Sequence, residues 1–202
     1  MNARFAMGLA LAAAVGGAFG QNDELEFQAR LKADFHDKGI ATSDRLDQDA
    51  IQAVCSLRRA EDWPQVLIRN LEQQQLAAVR YPADGKYMGD WKKGQVLAES
   101  GAGGTWSDQP GTPNGGNCYN CHQIAPGELS YGTMGPSLYH YGKIRGKSED
   151  IQKYTYTKIF NSKSYNLCTA MPRFGHAGIL SEEQIKDLVA LLLDPESPVN
   201  SK

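Results

Sequence analysis

The stretch Asn117-Cys118-Tyr119-Asn120-Cys121-His122 constrains this chain more than any other part of its sequence. Two thiols separated by two residues, with an imidazole directly after the second, fall on one side of a helical turn. So placed, each thiol can add to one vinyl group of a porphyrin, and the imidazole reaches the iron from the same side. Two other chemistries use part of the pattern. A dithiol redox pair sits at the head of a helix in a sheet-containing fold, and no convincing strand alternation runs through the 202 residues. A zinc site needs a second Cys/His pair at suitable spacing, and none is present. The pattern therefore predicts one covalently attached haem c on an all-α chain, with Cys118 and Cys121 as thioether anchors and His122 as axial ligand.

The sixth iron ligand needs a donor far along the chain. Met171 is best placed, in the loop Cys168-Thr169-Ala170-Met171-Pro172-Arg173-Phe174-Gly175, where Pro172 stiffens the approach. A thioether favours ferrous iron and raises the potential, which suits an electron carrier. His140, His176, Met134 and an open sixth position remain alternatives, and Met88 lies before the motif. The segment Thr133-Met134-Gly135-Pro136 follows His122 so closely that it is expected on the histidine side. A carbonyl near Pro136 is placed to accept the Nδ1 hydrogen of His122. Arg173 is read either as a partner for a haem propionate or as a solvated side chain.

Cys55 and Cys168 remain. In an oxidising compartment unused thiols tend to pair. A Cys55–Cys168 disulfide would tie the N-terminal helices to the Met171 loop; the alternative makes Cys168 a redox-active thiol or an iron ligand. Export is expected from residues 1–20. Arg4, the apolar run Leu9 to Val15 and the small-residue end Ala18-Phe19-Gly20 have the layout of a cleaved signal peptide. No later run is long and apolar enough to span a bilayer, so the mature chain is expected to be soluble. A formal net charge of −2 gives no broad electrostatic case for nucleic acid or an anionic membrane.

Residues 21–88 read as a helical extension. Leu25, Phe27, Leu31 and Phe35 recur at near-helical spacing up to Lys38-Gly39. Ser43 is placed to cap a second helix carrying Leu46, Ala50, Val54 and Leu57. A third begins near Asp62-Trp63-Pro64 and closes in the turn Tyr81-Pro82-Ala83-Asp84-Gly85. In 89–202 an amphipathic helix follows Asp90, and its Gly94 implies close packing against another helix. A glycine-rich loop spans Gly101 to Asn117. Ser148 starts a helix with Ile151, Tyr154, Lys158 and Ile159 in register. Ser181 and Gln184 form a capping box before the stripe Ile185, Leu188, Val189 and Leu192, which Asp194-Pro195 ends.

Five blocks carry a resemblance: Gly89-Asp90-Trp91-Lys92-Lys93-Gly94, Gly111 through His122, Gly132-Thr133-Met134-Gly135-Pro136-Ser137-Leu138, Met171-Pro172-Arg173-Phe174-Gly175-His176, and Asp194-Pro195-Glu196-Ser197-Pro198-Val199-Asn200. Together they resemble SoxX, the monohaem cytochrome c subunit of the SoxAX thiosulfate-oxidation complex. The resemblance implies a class I cytochrome c-like domain over 89–202, preceded by the extension over 21–88. It implies His122 and Met171 as axial ligands, and Cys118 and Cys121 as anchors. It also implies a periplasmic protein paired with SoxA, which holds the catalytic haem. That complex, an L-cysteine S-thiosulfotransferase, oxidatively couples thiosulfate to a cysteine of the SoxYZ carrier and passes electrons to c-type cytochromes. On this view the chain carries electrons and is not catalytic alone. A stand-alone diffusible cytochrome shuttle, or a haem peroxidase with an open sixth position, is the alternative. Cys55 and Cys168 have no assigned place in the family pattern.

Overall fold

Every regular element among the described residues is helical. The computed structural model describes residues 23, 25–57, 63–127 and 129–201. The expected signal peptide at 1–20 lies outside them, as does Asp62. The chain divides into two compact units, one up to Asp47 and one from Gln48 onward.

In the first unit, helix α1 covers 25–34. Leu25, Phe27 and Phe35 keep more than half of their surface exposed, so the apolar spacing read there is not a core stripe. A short 3-10 turn, Ser43–Leu46, follows a β-bridge between Lys38 and Ala41. Ser43 does not cap a long second helix as expected. Its backbone N–H is held instead by Asp37 at 2.6 Å.

The second unit holds α2 (Ala50–Leu57), α3 (Gln65–Ala77), α4 (Trp91–Glu99), α5 (Tyr141–Arg145), α6 (Glu149–Phe160) and α7 (Glu182–Leu193). Helix α2 starts where Asp49 and Gln52 cap each other: the Gln52 amide donates to Asp49 Oδ1 at 2.8 Å and the Asp49 amide to Gln52 Oε1 at 2.9 Å. That reciprocal pair satisfies two donors that a helix start leaves open. The two pieces read as one helix over 43–57 are therefore separate.

Helix α7 is the centre of the core. Ser181 and Gln184 form the expected capping box, and Ile185, Leu188, Val189, Leu191, Leu192 and Leu193 are all buried. Each such side chain stabilises by roughly 1.5–3 kcal/mol relative to exposure. Helix α4 crosses α7 at Gly94, where a Cβ would overlap the Asp187 carbonyl and lie 3.0 Å from Leu191 Cβ. The contact continues at the start of α4, where the Gly89 amide donates to the Lys186 carbonyl at 3.0 Å. The Asp90 amide donates to Asp187 Oδ1 at 2.7 Å.

The boundary expected at residue 88 falls inside the second unit. Val79 and Tyr87 are core residues, and Tyr81 and Met88 pack against them. The Tyr156 hydroxyl, on α6, donates to the Arg80 carbonyl at 3.1 Å, and the Tyr81, Tyr87 and Tyr156 rings meet at 5.5–6.3 Å. Aromatic burial, which composition does not register, joins this segment to the helical core. It also moves the buried side of α6. Of the expected face through Ile151, Tyr154, Lys158 and Ile159, only Ile159 is buried, together with Thr155, Tyr156, Thr157 and Phe160.

Candidate haem-binding site

The loop from Gly101 to Asn117 is irregular, but its end returns to helix α4. The amides of Gly116 and Asn117 donate to the carbonyls of Leu97 and Ser100 at 2.8 and 2.9 Å. These bonds use carbonyls that a helix C-terminus leaves without partners. Gly115 sits so close to the Ser100 carbonyl that a Cβ would overlap it. Asn117 then turns the chain with φ of 46°, a left-handed conformation that asparagine tolerates.

Cys118–Asn120 forms a single 3-10 turn. The amides of Cys121 and His122 both donate to the Cys118 carbonyl, at 3.1 and 2.9 Å. The second bond closes one α-type turn, which brings Cys118 and His122 to the same side; Cys121 is not among the residues lining the cavity that those two share. Burial pushes the Cys118 thiol up to about 12. It is therefore a neutral thiol, the opposite of the acidic thiolate that a dithiol redox centre requires.

Residues 132–138 pack against the imidazole. The amides of Gly132, Gly135 and Leu138 donate to the carbonyls of Tyr119, Cys121 and Gln123 at 2.7–2.8 Å. Gly135 lies flat against the His122 ring, where a Cβ would overlap it. His122 Nδ1 is 2.7 Å from the Pro136 carbonyl. A carbonyl only accepts, so the proton is on Nδ1 and the Nε2 lone pair is left for a metal. This is the carbonyl and the tautomer expected from the sequence.

Cys118 and His122 line a cavity whose other walls include Met171, Ile124, Leu138, Ile159, Phe174, Leu188 and Leu192. Apart from one thiol, one imidazole and one thioether, its lining is apolar. A hydrophobic macrocycle carrying an iron that takes nitrogen and sulfur ligands fits that donor set. A larger groove of about 540 Å³, bordered by Arg80, Asn114, Tyr156, Phe160 and Glu182, has no sulfur or imidazole among its lining residues. It offers nothing to a haem iron.

Met171 is held by its backbone on both sides. Its amide donates to Thr169 Oγ1 at 3.2 Å, and its carbonyl accepts from Ser162 Oγ at 2.6 Å. The other candidates do not line the cavity: Met134 is 77% exposed, and His140, His176 and Met88 are elsewhere. Cys55 and Cys168 are joined as a disulfide. Arg173 is not a solvated side chain: it is largely buried and its guanidinium pairs with Asp49. Sequence reading passed over Asp49, although Asp49-x-x-Gln52 is a visible helix-start pattern; its pairing with Arg173 had no sequence signal.

The family model described as Cytochrome c matches residues 92–194. A protein named "Uncharacterized lipoprotein" from Aquifex aeolicus (strain VF5) is 36% identical over 171 residues, covering 84% of this chain and 78% of its own length.

Proposed function

This chain belongs to the cytochrome c family, an electron-transfer protein with covalently bound haem c, and on that premise we propose that it is the monohaem electron-transfer subunit of a SoxAX-type thiosulfate-oxidising complex. The observation that carries the electron-transfer reading is the shared apolar cavity of Cys118, His122 and Met171. The haem supplies an iron that accepts and releases one electron at a time. The protein's own work is to hold it: Cys118 and Cys121 anchor it and His122 binds through Nε2. Met171 would offer the iron a thioether, which favours the reduced state. The chain has a single Cys-x-x-Cys-His, which supports one haem.

The five sequence blocks support the finer reading, and three of them, Gly111 to His122, Gly132 to Leu138 and Met171 to His176, contribute residues to the cavity wall. Gly132 to Leu138 orients His122, and Met171 to His176 supplies the opposite wall. Gly89 to Gly94 packs on α7. In the block Asp194 to Asn200, the side-chain Nδ2 of Asn200 donates to the Leu192 and Asp194 carbonyls at 3.0 and 2.9 Å, closing the end of α7. In the proposed complex, joining thiosulfate to a carrier cysteine forms one S–S bond and releases one proton and two electrons. The partner, SoxA, holds the site of that bond, and this chain accepts the electrons singly and hands them to another c-type cytochrome.

We place it in the periplasm, exported by residues 1–20. The Cys55–Cys168 bridge fits an oxidising compartment, and among the described residues no helix is long and apolar enough to cross a membrane.

Two measurements test these readings. Oxidised protein should show the weak far-red sulfur-to-iron absorption, and Met171→Ala should abolish it; a band that survives the substitution refutes Met171 ligation. Thiosulfate should reduce the haem only with a second haem protein and a carrier thiol present. Purification alone, with no thiosulfate-dependent reduction by any co-purifying protein, would instead mark a diffusible shuttle.

A further inference from the structure

Both flanks of Met171 are tied to helices α2 and α3, which precede the segment matched by the family model. On the N-terminal side, Cys168 is bridged to Cys55 of α2, and the Leu167 amide donates to Glu72 Oε1 of α3 at 3.0 Å. On the C-terminal side, the Arg173 guanidinium pairs with Asp49 Oδ2, at the start of α2. Asp49 has a second task, since its Oδ1 caps the helix at the Gln52 amide. The Arg173 side chain is only 12% exposed, and a guanidinium so enclosed needs its counter-ion. Lys163, buried nearby, donates to the Leu167 carbonyl at 2.7 Å and supplies no negative charge.

We propose that Asp49, with the Cys55–Cys168 bridge, forms a clamp from α2 that positions Met171 and sets how often the sixth iron position opens. The inference rests on the reading of Met171 as the iron ligand. Asp49 and Cys55 do not touch the cavity; they act through the loop and are positioning residues. With one end of the loop released, Met171 explores more of its off-iron positions, because ordering it then costs more entropy. The fraction with an open sixth position rises in proportion.

Imidazole added to the ferric protein reads that fraction directly. It binds only where Met171 has left, so its apparent Kd varies inversely with the open fraction. Asp49→Asn is the informative variant, because asparagine caps a helix as well as aspartate does and only the ion pair is lost. Imidazole affinity is expected to rise by about tenfold, with a weakened far-red band. Asp49→Glu, which keeps a carboxylate, should restore both toward the wild-type values. Replacing Cys55 and Cys168 together by serine should move affinity in the same direction as Asp49→Asn. A merely structural role would lower the denaturation midpoint without moving the band or the imidazole affinity at temperatures far below it. Unchanged affinity in both Asp49→Asn and the double serine variant, with the band intact, overturns the clamp and leaves the ligand standing. If Met171→Ala leaves imidazole affinity unchanged, Met171 is not the ligand and the clamp falls with it.

Discussion

His122 shows how little freedom the site leaves its imidazole. The Pro136 carbonyl settles the tautomer and Gly135 closes one face of the ring. Gly135→Ala should push the ring off its hydrogen bond and cost about 1–3 kcal/mol, the usual penalty for adding a methyl to a filled space. Denaturant unfolding measures the loss, and a shifted reduction potential would report the weakened bond at Nδ1. Asp49 makes a second testable case. Burial raises its pKa, but the Gln52 amide and the Arg173 guanidinium outweigh that and hold the carboxyl below its ordinary value of 3.8. A carboxyl held low in the folded protein contributes stability above its unfolded pKa and loses it as pH falls through the folded one. The stability gap between wild type and Asp49→Asn should therefore stay constant above roughly pH 4 and close below it. Parallel curves down to pH 2 would show that the carboxylate contributes nothing.

The contact of α4 with α7 aligns the start of the haem-binding loop. Its closest point is Gly94 against the Asp187 carbonyl. Alanine there gains helix propensity of about 1 kcal/mol but forces the helices apart. The second effect should win, for a net loss of about 1–2 kcal/mol in Gly94→Ala by guanidinium denaturation. A gain in stability would mean that the two helices have room to separate. Helix α6 makes the complementary point. Both α7 and the segment around Tyr81 and Tyr87 cover it, so its buried surface is wider than a single stripe. Amphipathic spacing picks out one face and misses Tyr156, which is fully buried.

The second unit as a whole is closed by the bridge between Cys55 and Cys168, 113 positions apart. In the chain-entropy model a loop of that size is worth about 4–5 kcal/mol, drawn from the unfolded state. Replacing both cysteines by serine should lower unfolding stability by that order while the mass still includes the haem. A variant as stable as wild type would show that the Asp49 and Glu72 contacts hold the loop without the bridge. The bridge also bears on where the domain begins. Residues 48–88 bring the disulfide, the Glu72 contact and the Tyr87 core contact to the unit that holds the cavity, so they are part of its framework.

Local chemistry was enough to read the haem motif, the Nδ1 partner of His122, the capping box of α7 and the stop at Asp194-Pro195. Each is a matter of neighbouring residues whose geometry follows from backbone spacing. The start of α2 was readable in the same way, from Asp49 and Gln52, and was overlooked. The meeting of Arg173 with Asp49, the inclusion of Tyr81 and Tyr87 in the core and the short helix α5 were not readable. They depend on which surfaces lie together once the chain is compact. Asp49 and Arg173 are 124 positions apart, and no periodicity or composition links such a pair. Only the burial of a guanidinium beside the Met171 loop selects the carboxylate that meets it.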